Sequence, residues 1–114
     1  MPTIKLVSLQ CILNDEIDKD EIYIKYNGKK VWPTGVYNQF DSGETKEIGL
    51  DLEVDEGWLE LELWDFDYMS RNDHLGTFKM MIDQEKGKFS TSLQKKDLES
   101  TASYILNWEI SGEA

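Results

Sequence analysis

Apolar and polar residues alternate along most of the chain, most cleanly over residues 58–64, where Leu59, Leu61 and Leu63 share one side with Glu60 and Glu62 between them. A period of two is that of a β-strand with one face on a core and the other toward water. A second segment puts Ile48, Leu50, Leu52 and Val54 on one face, and the break at Asp55-Glu56-Gly57 predicts an antiparallel hairpin joining it to the leucine strand. Residues 3–13 carry Val7, Leu9, Cys11 and Leu13 at the same period, and residues 22–26 alternate Ile22 and Ile24 against Tyr23 and Lys25. Asn27-Gly28 marks a tight turn into a brief strand at 29–32, after which Pro33 and Gly35 open a loop running to 43. Past the midpoint, Phe78, Met80 and Ile82 line one side of a strand over 75–82, residues 88–93 suggest a shorter one, and Tyr104, Leu106, Trp108 and Ile110 define the last. Only residues 92–100 show a weak helical period, and their Lys95-Lys96-Asp97 centre suits an exposed turn equally well. Seven or eight strands at this spacing predict an all-β, antiparallel sandwich.

Composition narrows the function. The chain has 114 residues, 39% of them apolar and 11% aromatic, enough for one domain over 1–114 with its own core. Its 23 acidic residues outnumber 12 Lys and Arg, for a formal net charge of -11. Nucleic acid is excluded as a partner, because binding it requires Lys and Arg to replace phosphate counterions. Cations are the expected guests. No apolar run is long enough to span a bilayer, and the first ten residues lack the basic start and apolar stretch of a signal peptide, so a cytoplasmic location is expected. Cys11 is the single cysteine and His74 the single histidine, which leaves no Cys/His cluster for zinc or an iron–sulfur centre.

The acids are concentrated in two connections. Asn14-Asp15-Glu16-Ile17-Asp18-Lys19-Asp20-Glu21 follows the first strand, and Asp65-Phe66-Asp67, with Asp73 beyond, follows the leucine strand. Carboxylates crowded to about 4 Å repel by roughly 1 kcal/mol per pair in water and about 4 kcal/mol at the effective dielectric of a protein surface. Carboxylates and carbonyls suit calcium, which takes six to eight oxygens, better than zinc, and magnesium keeps its waters. Asp65 and Asp67 continue the parity of Leu59, Leu61 and Leu63, which aims both into the space capping one end of the sandwich. An acidic loop is also ordinary solvated turn chemistry, and the EF-hand pattern, which needs flanking helices, is absent.

The run Leu63-Trp64-Asp65-Phe66-Asp67-Tyr68-Met69-Ser70-Arg71-Asn72-Asp73-His74-Leu75-Gly76-Thr77-Phe78 resembles the third calcium loop of C2 domains: a strand ending in Asp-x-Asp, five residues, a third Asp, then an apolar residue and Gly opening the next strand. The first acidic connection is a looser match, with Asp20-Glu21-Ile22-Tyr23 where the family has Asp-Pro-Tyr. Aligned on Tyr23 without a gap, Asp15 and Glu21 take the two ligand positions; one inserted residue makes Asp20 the second. Asn27-Gly28-Lys29-Lys30-Val31-Trp32-Pro33 is similar to compact bacterial C2-like modules. The resemblance implies an eight-stranded sandwich in the permuted (type II) strand order. It also implies Ca2+ held between the two connections by Asp15, Glu21 or Asp20, Asp65, Asp67 and Asp73, with the Phe66 carbonyl as a further ligand.

Most C2 domains dock on anionic phospholipid membranes, and that function would use Ile17, Tyr68 and Met69 as apolar loop tips and make the protein a peripheral membrane one. The competing class is a calcium-stabilised structural or protein-interaction module with an unknown protein partner, which the net charge favours because the surface outside the loops repels anionic lipid. Catalysis is the weakest reading: Asp65 and Asp67 sit two apart on one loop with no nucleophile beside them. Trp108 shares the core parity of Leu106 and Ile110, while Trp58 and Trp64 lie opposite the leucines, where with Trp32 they would make a carbohydrate or peptide platform if exposed together.

Overall fold

The computed structural model describes residues 2–14, 19–83 and 85–113. Ten strands form β1 (Pro2–Leu13), β2 (Asp20–Tyr26), β3 (Lys29–Trp32), β4 (Asn38–Phe40), β5 (Thr45–Glu53), β6 (Gly57–Asp65), β7 (Asp73–Ile82), β8 (Gly87–Ser92), β9 (Gln94–Lys95) and β10 (Ser103–Glu113). They make two antiparallel sheets, one ordered β5-β1-β10-β8 and the other β3-β2-β6-β7-β9, with β4 also on β2. β3 and β4 pair with successive stretches of β2, so together they act as one interrupted edge strand. β8 and β9 flank Leu93 but join different sheets, through β10 and β7. Ten segments therefore fill eight strand positions, and β10 lies beside β1 as the permuted order requires.

The core is the space between the sheets. Leu59, Leu61 and Leu63 of β6, Ile22 and Ile24 of β2, and Phe78, Met80 and Ile82 of β7 face Ile4, Leu6, Leu9 and Cys11 of β1 and Tyr104, Leu106, Trp108 and Ile110 of β10. Each such side chain contributes about 1.5–3 kcal/mol on leaving water. Asn27 and Gly28 both take positive φ, 52° and 77°, the conformation a two-residue hairpin turn requires between β2 and β3.

Several expectations are corrected. β5 and β6 do not form a hairpin: β5 pairs with β1 in one sheet and β6 with β2 and β7 in the other, so the short link at 54–56 crosses between sheets. Val54, buried in that link, bonds its N–H to the Pro2 carbonyl at 3.1 Å. β1 changes parity midway, because a bulge between Leu6 and Ser8 shifts register against both neighbours. Ile4 and Leu6 thus face the core before the bulge and Leu9 and Cys11 after it, while Val7 is half-buried and Leu13 exposed. The expected loop at 33–43 contains β4, and 92–100 holds the end of β8, β9 and a turn, with no helix among the described residues. Trp32 is buried with its ring edge-on to Phe40, away from the exposed Trp58, which removes the shared tryptophan platform.

Gly76 is buried where β7 meets β9, and a Cβ there would collide with the backbone carbonyl of Gln94. Gly76→Ala is expected to cost about 1–3 kcal/mol by overpacking, read as a lower urea midpoint at unchanged m-value; an unmoved midpoint would mean that β9 does not pair in solution.

Candidate functional site

β2 begins where β6 ends. Ile22 stands opposite Asp65, and Asp65 stands opposite Asp73 across the β6–β7 pair. Ile22 and Ile24 face the core, so two-residue alternation turns Asp20 inward with them and Glu21 outward. Asp20 is fully buried, and the Tyr104 hydroxyl donates to its Oδ2. Asp65 is also buried, and its Oδ1 accepts the Glu21 N–H at 2.8 Å. The Glu21 carbonyl accepts the Phe66 N–H at 2.7 Å, which fastens the two acidic connections together at one pole. Asp73 is exposed at the start of β7. Asp15 and Ile17 lie outside the described residues.

Loop 66–72 is closed by its own side chains. Asp67 Oδ1 accepts the Met69 N–H and Oδ2 the Ser70 hydroxyl, both at 2.8 Å. The Asp67 N–H donates to Asn72 Oδ1 at 2.9 Å, and Asn72 Nδ2 donates to the Tyr23 hydroxyl at 2.8 Å. Met69 is almost fully exposed, at 93%, whereas the Tyr68 ring packs edge-on against Phe66 at 4.7 Å although it is 74% exposed. Tyr37, from the connection between β3 and β4, stacks on Phe66 at 5.5 Å. Hydrogen bonds with the Tyr68 hydroxyl and then the Glu21 carboxylate push the Tyr37 hydroxyl well above the usual tyrosine range.

More acids gather here than the two connections first singled out. Asp41 and Glu44 belong to the turn between β4 and β5, where Ser42 bonds Asn14 in both directions, and Asp97 and Glu99 share a hollow of about 150 Å3 with Asp73 and His74. Asp41 and Glu44 each accept a backbone N–H of their own turn. Their signal was topological: both turns carry acids, but nothing in the sequence orders the connections in space.

A second feature lies beside the pole on the outer face of the β2–β6–β7 sheet. The Trp64 ring is stacked between Tyr23, at 6.2 Å, and His74, at 4.7 Å, with Lys25 Nζ 4.5 Å from its centre. These side chains, with Arg71 and Lys96, help line an open cleft of about 890 Å3. Its signal was present in the alternation of Tyr23 and Lys25 opposite Ile22 and Ile24, and of Trp64 opposite the leucines.

The Glu21, Asp65, Asp67 and Asp73 carboxylates and the Phe66 carbonyl lie at one end of the sandwich, an all-oxygen set of the type a hard cation takes. Their arrangement is open. Among the described residues no three acidic or histidine side chains converge closely enough to hold an ion as they stand, and Asp67 is turned into its own loop.

No protein-family model and no curated protein matches the chain. Solved structures do. One described as a C2 domain superposes with a TM-score of 0.58 over 96% of this chain and 96% of its own, at 12% identity. A C2 domain of plant extended synaptotagmin 1 gives a TM-score of 0.51 over 99% of this chain and 95% of its own, also at 12% identity. The chain therefore has the C2 fold. No helix among the described residues is long and apolar enough to cross a membrane.

The Met69 amide, then the Ser70 hydroxyl, hold the Asp67 carboxyl below the usual aspartate range. A depressed folded pKa means that the stabilisation is present above the ordinary aspartate value and lost as pH falls through the folded one. Followed by carboxyl-carbon NMR, Asp67 is expected to titrate below ordinary aspartates, and Ser70→Ala to raise its midpoint part of the way. A midpoint at or above the ordinary range would show that the turn does not form in solution.

Proposed function

We propose that the chain is a non-catalytic docking module whose acidic pole takes calcium between the start of β2 and loop 66–72, and so presents that loop to an anionic phospholipid surface. One observation carries the reading: Asp65 and Asp73 are register partners in the last pair of β6 and β7, with Glu21 bonded through its backbone to the same strand end. Like charges directly opposite each other destabilise a sheet, and a cation between them reverses the sign. The C2 fold supports a binding module of this kind. Glu21, Asp65, Asp67, Asp73 and the Phe66 carbonyl would hold the ion, which supplies positive charge facing a lipid phosphate.

Asp67 must exchange its Met69 and Ser70 bonds for the ion, so affinity falls below that of a preformed site. Met69 is the bare apolar tip, and Arg71 with the neighbouring Lys25 and Lys96 places three cations on this flank. The packing of Tyr68 against Phe66 and Tyr37 favours a second reading, in which the ion only stiffens the loops for a protein partner.

Titration calorimetry with calcium chloride is expected to give a Kd of roughly 0.1 mM or weaker. At free calcium about 100 times Kd the stabilisation is about 2.7 kcal/mol, seen as a raised melting temperature over chelator. Asp67→Asn with Asp73→Asn should abolish that rise and leave the apo melting temperature equal or slightly lower, since the amide oxygen of the substituted side chain still accepts the Met69 N–H but without the charge that the Met69 and Ser70 bonds favour. Superimposable melting curves with and without calcium would end the calcium reading. Calcium-dependent sedimentation with phosphatidylserine vesicles is expected; stabilisation without sedimentation would replace the membrane with the protein partner.

A further inference from the structure

We infer that Asp20 is a positioning residue and not a ligand: with Tyr104 it forms a buried clasp between the two sheets that fixes where Glu21 stands at the acidic pole. The inference deepens the calcium reading of that pole, and its first test needs no ion.

Asp20 and Tyr104 are 0% and 1% exposed and belong to different sheets. Phe40, opposite Asp20 in the register, sets its ring edge-on to Tyr104 at 5.9 Å. Cys11, fully buried, stands opposite Tyr104 on β1. A carboxylate in such surroundings is costly without donors, and the Tyr104 hydroxyl supplies one. The next residue, Glu21, has both backbone groups bonded to the end of β6, at 2.8 Å and 2.7 Å. The stretch Asp20–Glu21 is thus held by one sheet through Tyr104 on the Asp20 side chain and by the other through Asp65 on the Glu21 N–H and Phe66 on the Glu21 carbonyl. The side chain of Asp20 is occupied inside the sandwich, while that of Glu21 leaves the core on the opposite face.

Tyr104→Phe keeps the ring and removes the donor. By hydrogen–deuterium exchange without calcium, the Glu21 and Phe66 amides are expected to lose protection by about tenfold or more, as loss of a hydrogen bond to a charged group implies, while Leu61 and Phe78 at the centre of the sheet change less. Equal loss at all four amides, or none at Glu21 and Phe66, would overturn the clasp. Asp20→Asn keeps an acceptor for Tyr104, so it should retain protection at Glu21 and Phe66 and calcium affinity within about threefold, whereas Asp73→Asn removes a ligand charge and loses about tenfold or more. An Asp20→Asn loss as large as that of Asp73→Asn would make Asp20 a ligand and sink the inference. Should Tyr104→Phe fail to fold, Asp20→Asn carries the test by the same two readouts. If the wild type takes no calcium, the functional reading alone fails and the exchange result still decides the clasp.

Discussion

The arrangement of the acidic pole depends on two short hydrogen bonds between the second residue of β2 and the end of β6. The Glu21 N–H reaches Asp65 Oδ1 and the Glu21 carbonyl accepts the Phe66 N–H. Asp65 is buried at the end of the leucine strand, so its carboxylate must find donors within the protein. It finds one on the backbone of the other acidic connection. Burial therefore does what repulsion would prevent, bringing two negatively charged segments side by side. A one-residue slip of β2 would turn Ile22 and Ile24 to water, so the hydrophobic pattern fixes the same contact that the carboxylate requires.

The surplus of acid is met locally by backbone amides. Asp67, Asp41 and Glu44 each accept an N–H from their own turn. Such bonds hold the loops in shape without an ion, and they also compete with one: each oxygen given to an amide is withheld from a metal until the turn opens. Loop 66–72 shows this most fully, because both Asp67 oxygens are engaged in closing it.

Much of this was legible in the sequence. Alternation located the leucine strand, the isoleucine strand and the final strand, because each faces a core on one side only. The Asp-x-Asp run with its Gly76 marked the β6–β7 connection, since the glycine is required where the backbone of β9 closes in. What alternation misses is where parity changes. The bulge after Leu6 needs no special residue in β1, so an unbroken period of two places Val7 and Leu13 inward. The link at 54–56 has the residues of a hairpin turn, yet it carries the chain from one sheet to the other, and only long-range pairing tells the two apart. An alignment of the loop treats Asp20 and Glu21 alike, but the strand does not: the inward parity of Ile22 and Ile24 extends to Asp20 and leaves Glu21 on the other face.

That parity has a further consequence for the loop tip. The Glu21 carboxylate, turned outward, meets the Tyr37 hydroxyl, which also bonds Tyr68, and both rings pack on Phe66. Phe66 in turn hangs from the Glu21 carbonyl by its own N–H. One residue thus touches the exposed tip twice, through its side chain by way of two tyrosines and through its backbone by way of a phenylalanine. Charge at the pole and aromatic packing at the tip therefore meet at one residue, Glu21.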